Sequence, residues 1–227
     1  MKRLVTLLFW LAVSLAALSI LLVLLFKWVP VSGTPLMVIR TVQQATSGQE
    51  IRLKHDWVAM NKISPNLQLA VICSEDQNFV NHWGFDLEAI DKALKDSKKR
   101  NRQPRGASTI SQQTAKNVFL WPGRSWVRKG FEVWFTGWIE LLWSKKRILQ
   151  VYLNSIEMGN GIYGAEAAAQ YYFKVPASAL TARQAAAIAA VLPNPRKYNA
   201  ATPGPYVSGR ISWIQGQMQQ YGPLDVK

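Results

Sequence analysis

Soft metal ligands are scarce in this chain: one cysteine, Cys73, and two histidines, His55 and His82, in 227 residues. A lone cysteine excludes an intramolecular disulfide and any multi-cysteine metal site, and two histidines this far apart argue against a histidine cluster. Cys73 is left with helix packing, a role equally at home in the cytoplasm or in an exported protein. Acidic residues are short too, 13 against 27 lysines and arginines, which gives a net charge of +14 and a pI near 10.1. That excess calls for a polyanionic partner, either nucleic acid or an anionic lipid surface and its phosphate-bearing lipids. Internal repeats and low-complexity tracts are missing. The length suits one membrane segment and one globular domain, with no room for a large second one.

Apolar sequence is plentiful, at 49%. After Met1, Lys2 and Arg3, the stretch from Leu4 to Phe26 offers twenty-three positions without a charge, enough at about 1.5 Å per residue to cross a hydrocarbon core of about 30 Å. A cleaved signal peptide is the rival, but its apolar region is usually about 7 to 15 residues, followed at once by a small-residue cleavage site. Here Leu21 to Phe26 run on into Lys27 and Trp28. The reading is therefore a short tail (1–3), an uncleaved anchor (4–26), a tether (27–45) broken by Pro30, Gly33 and Pro35, and a domain (46–227). The short N-terminal side is expected inside and the domain exported. Trp10 and Trp28 are candidate interface anchors, and Val38 to Val42 a candidate strand.

Chemistry concentrates where an apolar run stops. Ser64-Pro65 starts a helix whose face carries Leu67, Ala70, Val71 and Cys73 or Ser74, and whose end carries Glu75 and Asp76. At that end the helix dipole and apolar neighbours both disfavour ionisation of Glu75, which is how a general base is tuned. Simple solvation of a helix end is the plainer alternative. Asp86 then caps a helix that gives way to the run from Lys98 to Arg105, in which five of eight residues are cationic. The run is a solvated loop or a phosphate, headgroup or nucleic-acid contact, but it lacks the aromatic platforms of a single-strand binder. Gly106 leads into a helix capped by Ser108 or Thr109; its amides either suit phosphate or are closed by a Thr109/Gln112 capping box.

Seven bulky aromatics lie between Phe119 and Trp138. Trp126, Val127, Phe131, Trp134 or Phe135, Trp138 and Leu142 recur at helical spacing, as a core stripe or as a surface that dips into the lipid interface. Glu132 lies off that stripe with Arg128 at i−4 and Lys129 at i−3, placed to pair with it. One carboxylate desolvated and the other paired with cations is a division of roles. Further on, Gly159 to Gly164 form a turn before a small-residue helix, Thr181/Gln184 cap an alanine-rich helix, and a last helix runs from about Tyr206 to Tyr221 with Trp213, Ile214, Gln217 and Tyr221 in phase.

Five ordered motifs between about residues 60 and 198 resemble the signatures of the peptidoglycan glycosyltransferases (glycosyltransferase family 51), above all their single-domain, membrane-anchored members. They are Glu75-Asp76-x-x-Phe79 with His82 and Gly84; Gly106-x-Ser108-Thr109-Ile110-x-Gln112-Gln113-x-x-Lys116-Asn117; Arg124 with Arg128-Lys129-x-x-Glu132; Ile148-Leu149-Gln150-x-Tyr152-Leu153-Asn154; and the Gly159 to Gly164 turn. Two departures stand out: Phe131 where the family often has lysine, and Gln150 in place of glutamate. The resemblance implies a lysozyme-like, mainly α fold with a membrane-associated jaw. It implies transfer of an undecaprenyl-pyrophosphate-linked glycan to the 4-hydroxyl of lipid II, β-1,4 and inverting. Glu75 would be the base, and Glu132 would assist pyrophosphate departure, directly or through a divalent cation, Mg2+ or Mn2+. Ser108, Gln112, Gln113, Lys116, Asn117, Arg124, Arg128 and Lys129 would bind substrate, while Asp76, Phe79, His82, Gly84 and Thr109 would form the scaffold. It implies no organic cofactor and no nucleic acid; the partners are lipid II, the growing glycan, the inner membrane and, as an open class, the wall-synthesis or division proteins. A lytic transglycosylase or lysozyme, with Glu75 as acid, and a non-enzymatic binder of anionic lipid or nucleic acid are the alternatives. The anchor makes a direct prediction: intact-mass measurement of protein purified from membranes should show residues 1–26 retained, and a mature form lacking them would refute the reading.

Overall fold

The computed structural model describes residues 1–100, 108–123, 125–224 and 226, with the side chain of Arg100 excluded. Helix α1 (Lys2–Phe26) carries the apolar run; its most apolar window has mean hydropathy 2.7 and is only 6% buried, so it is long and apolar enough to cross a membrane. The tether is more ordered than its breakers suggest, because Pro35 sits in the first turn of α2 (Pro35–Thr46), where its fixed φ suits a helix, and Thr34 caps that turn through Met37 N at 3.3 Å. Val38 to Val42 are thus helical, and the expected strand is not there.

Strand β1 (Lys54–His55) precedes α3 (Pro65–Glu75), which starts as predicted, with Asn66 N donating to Ser64 Oγ at 3.2 Å. Then come α4 (Leu87–Arg100), capped by Asp86 through Ala89 N at 2.9 Å, and α5 (Ile110–Phe119). Helix α4 continues through Lys98 and Lys99, so the basic run starts on a helix rather than a loop; residues 101–105 lie outside the described residues. The remaining elements are α6 (Trp126–Leu142), α7 (Lys145–Ser155), β2 (Glu157–Gly159), β3 (Ile162–Tyr163), α8 (Ala165–Phe173), α9 (Ala182–Val191) and α10 (Pro205–Tyr221).

Two helical layers result. In one, α3 packs on α9 and α10; in the other, α5 packs on α6 and α7, with α1 laid against α6. The alanine face of α9, Ala185 to Ala190, is buried among these helices, since side chains this small let helix axes approach closely. A small sheet in the order β1-β3-β2, parallel between β1 and β3 and antiparallel between β2 and β3, ties the early chain to the glycine turn. Asn154 reinforces it, exchanging hydrogen bonds with Val58 N at 2.8 Å and Val58 O at 3.1 Å.

The aromatic stripe on α6 divides. Phe135, Ile139 and the following Trp143 are buried, whereas Trp126 (91% exposed), Val127, Phe131 and Trp134 face outward, so the core-facing reading fails for them. Both sides meet the anchor: exposed Trp134 donates from Nε1 to Ser19 Oγ at 3.0 Å, and buried Trp143 from Nε1 to the Val23 carbonyl at 2.9 Å. Arg147 donates from Nε (3.0 Å) and Nη2 (2.7 Å) to the Phe26 carbonyl and from Nη2 to that of Val29 at 2.6 Å. Carbonyls at the end of a helix have no partner within it and favour a cation, so the anchor leaves the apolar segment already fastened to the domain.

Gly164 is where α8 meets α7. Its φ is +82°, and an added Cβ would stand 2.6 Å from the Asn154 carbonyl oxygen. Gly164→Ala should therefore cost at least about 2 kcal/mol, the sum of a left-handed backbone and a backbone clash. The expected readout is a melting temperature lower by at least about 4 °C in detergent.

Candidate active site

Glu75 ends α3, and the chain turns away at Asp76. The Asp76 side chain, 7% exposed, accepts from His82 Nε2 at 2.9 and 3.1 Å and from Ile110 N at 2.9 Å. One carboxylate thus closes the loop of the first motif and caps α5. Thr109 Oγ1 donates to the Gly84 carbonyl at 2.7 Å, and Lys145 Nζ donates to the His82 carbonyl at 2.6 Å and to Glu140 Oε1 at 2.8 Å. Ser111 Oγ donates to that same Glu140 carboxylate. Gly84, with φ +77°, lies so close to α6 that a Cβ would stand 2.7 Å from Thr136 Cγ2. Buried Phe79 lies under Lys145, whose Nζ is 4.7 Å from the ring centre. The five scaffold candidates, Asp76, Phe79, His82, Gly84 and Thr109, therefore meet in one place.

Held by this frame, Glu75 is half-buried and its Oε2 accepts from Gln113 Nε2 at 3.0 Å. Burial pushes its carboxyl above the ordinary carboxylate value; the Gln113 hydrogen bond and the charges of Arg210 and Lys116 pull it back, and Asp76 adds to the rise. Lys116, one turn along α5 from Gln113, has its ammonium lowered chiefly by burial and by Arg128 and Lys129, with Glu132 and Glu75 acting against this. Glu132 is 3% exposed and ion-paired twice, to Arg128 Nη1 at 2.7 Å and to Lys129 Nζ. The expected contrast holds in its geometry: one carboxylate is desolvated with an amide partner, the other is clasped by cations.

Two cavities open beside these residues. One of about 510 Å³ is lined by Glu75, Asp76, Asn78, Lys92, Ser108 and Trp213. Another of about 260 Å³ is lined by Gln113, Lys116, Asn117, Arg40, Trp121 and Glu157. The first has the Glu75 carboxylate at its wall, and the second has Arg40 and Lys116.

A family model described as transglycosylase matches residues 41–219. The chain belongs to the transglycosylase family. Proteins named biosynthetic peptidoglycan transglycosylase are similar to it along nearly their whole length: 55% identity over 98% of this chain and 92% of the relative from Pseudomonas putida (strain W619). The corresponding figures are 54%, 98% and 92% for Pseudomonas syringae pv. syringae (strain B728a), and 56%, 92% and 85% for Bacteroides thetaiotaomicron.

The transglycosylase frame corrects three readings of the sequence. The start of α5 is no phosphate cradle, because Asp76 takes Ile110 N and a formed capping box takes Gln112 N and Thr109 N. Gln112, buried at 4% exposure, spends its side chain on that box and is removed from the substrate-binding set. Arg124 lies outside the described residues. Trp213 is not a core residue of α10, where Val207, Ile211, Ile214 and Met218 face inward; at 48% exposure it lines the Glu75 cavity. Sequence reasoning missed Arg210 and the bond from Tyr152 Oη to Gln113 Oε1 at 3.1 Å. Arg210 gave no local signal, as it reaches Glu75 only through the fold of α10 onto α3. Asp76→Asn should cost about 1.5 to 3 kcal/mol, the value of hydrogen bonds to a charged group. Circular dichroism should register it as a melting temperature lower by several degrees.

Proposed function

We propose that this chain polymerises the glycan strands of peptidoglycan, transferring a growing, undecaprenyl-pyrophosphate-linked glycan to the 4-hydroxyl of lipid II in a β-1,4, inverting step. The observation that carries this reading is that Glu75 and Lys116 line two separate cavities, linked by Gln113, which lines the Lys116 cavity and donates to Glu75. A transfer between two large substrates needs a base at the acceptor and positive charge at the leaving group, and a pyrophosphate needs cations more than an acid. Glu75 takes the proton of the acceptor hydroxyl. Lys116, with Lys129, Arg128 and Arg124, balances the departing charge, while Gln113, Ser108 and Asn117 contact the sugars.

Glu132 serves this step by holding Arg128 and Lys129 in place. With its two oxygens already on those cations, and with no group of three or more His, Cys, Asp or Glu side chains suited to a metal among the described residues, its surroundings do not fit a resident divalent ion. A hydrolase would need a second carboxylate free to act beside Glu75, and Glu132 is committed elsewhere. The single apolar helix anchors the enzyme; we place its N-terminus in the cytoplasm and its domain on the outer face of the inner membrane, where wall-synthesis or division proteins are the candidate partners.

Both carboxylates should matter to turnover, but they should differ in donor binding and in stability. Glu75→Gln should lower the rate of lipid II polymerisation at least about 10²-fold, with donor binding retained and a melting temperature no lower than that of the parent, since glutamine has no charge to desolvate. Glu132→Gln should lower turnover, alter donor affinity and lower the melting temperature, because it strands buried Arg128. Glu75 must be ionised to act and its carboxyl is raised, so activity should fall as pH drops through a value above the ordinary glutamate range. A well-folded Glu75→Gln enzyme working at near the parental rate would overturn the assignment.

A further inference from the structure

Tyr152 has no part in the chemistry above, yet its side chain, 1% exposed, ends at the residue that holds the base. Its hydroxyl donates to Gln113 Oε1 at 3.1 Å, and Gln113 Nε2 donates to Glu75 Oε2 at 3.0 Å. The three groups come from α7, α5 and α3 and form a chain from the core to the cleft. Burial holds the phenol well above its ordinary value, with Glu75 and Asp76 adding to the effect, so the O–H remains a donor throughout the working pH range.

A carboxamide can face Glu75 in two ways. With its N–H₂ toward Glu75 it supports the carboxylate; turned over, it presents its carbonyl, which accepts only from the protonated acid. In the turned-over state the amide N–H₂ would point at the phenol oxygen, and the phenol hydrogen would have to find another acceptor. Among the described residues Tyr152 Oη donates to no other group. A buried donor left without a partner is costly, so the tyrosine penalises the orientation that favours protonated Glu75.

We propose that Tyr152 is a positioning residue of this site: by fixing which end of the Gln113 carboxamide faces Glu75, it keeps the base in the form that can accept a proton. The inference rests on Glu75 being the base. The other charged or titratable groups facing Glu75 are Lys116 on α5, Arg210 on α10 and Asp76 at its side, and α9 presents alanines and other apolar residues to α3. None of these is bonded to Tyr152, so replacing its hydroxyl leaves them in place. Gln113 Nε2 also donates to the Ser108 carbonyl at 3.4 Å, a long bond that favours the same orientation more weakly than the phenol does.

The test is Tyr152→Phe, assayed for lipid II polymerisation as kcat/KM from pH 5 to pH 9 beside the parent protein. The expected result is an acid limb moved up by about one pH unit, which makes the variant about tenfold slower below both limbs and nearly equal to the parent above them. Gln113→Ala should move the limb at least as far, and the Tyr152→Phe/Gln113→Ala double variant no further than Gln113→Ala alone, because the tyrosine acts only through the amide. A loss uniform across pH would mean a packing role and would overturn the proposal, as would an unchanged profile or additive shifts in the double variant. Melting curves separate misfolding from a site effect. A parent protein that makes no polymer, or a Glu75→Gln variant that makes it freely, would instead strike at the assignment of the base.

Discussion

A buried carboxylate at the seam between two helical layers is the constraint on which the site depends. Asp76 accepts from His82 and from the first amide of α5, so the end of α3 and the start of α5 cannot separate without stranding a desolvated acid. The spacing between Glu75 on one helix and Gln113 and Lys116 on the other is a consequence. Gly84 and the pair of Lys145 and Glu140 extend the same frame onto α6 and α7, and with it the cations around Glu132 keep their place relative to Glu75. The groups of the cleft are ordinary side chains; what is unusual is how many buried polar contacts are used to set their separation.

The anchor belongs to this frame more closely than a tether would. Trp134, Trp143 and Arg147 reach from α6 and α7 to the last turns of α1 and the residues after it, and Phe119 stacks on Phe135 at 4.5 Å while meeting Phe26 at 6.0 Å. Trp134, which does not enter the core, is left beside the apolar segment, in the position where an amphipathic ring favours a lipid interface.

Local signals read well from the sequence. Ser64-Pro65, the boxes at Thr109/Gln112 and Thr181/Gln184, and the cap at Asp86 all formed as expected, because each depends on residues within a few positions of one another. The family motifs supplied the residues of the cleft. What the sequence could not supply was direction. Period alone does not say which side of α6 faces the core, so Trp126 and Phe131 were as eligible as Phe135; nor does it distinguish Trp213 from Ile214 on α10. The same limit applies to Gln112 and Gln113, adjacent amides of which one caps a helix and the other holds Glu75, since only the position of Asp76 and Tyr152 in space tells them apart. Proline near residue 35 was read as a breaker although it begins a helix, for it occupies the first turn, where a missing amide hydrogen costs nothing.

The grip of Arg147 on the end of α1 has a mechanical meaning. A free linker would let the domain sample all headings above the bilayer, whereas a joint closed by three guanidinium contacts to backbone carbonyls, two to Phe26 and one to Val29, transmits rotation. When α1 turns or leans within the lipid, the cleft turns with it and stays at one height over the headgroups. The enzyme then behaves as an oriented device in two dimensions, its substrates arriving from the plane in which it is itself confined, and the thickness of the surrounding bilayer becomes a variable that sets the elevation of Glu75.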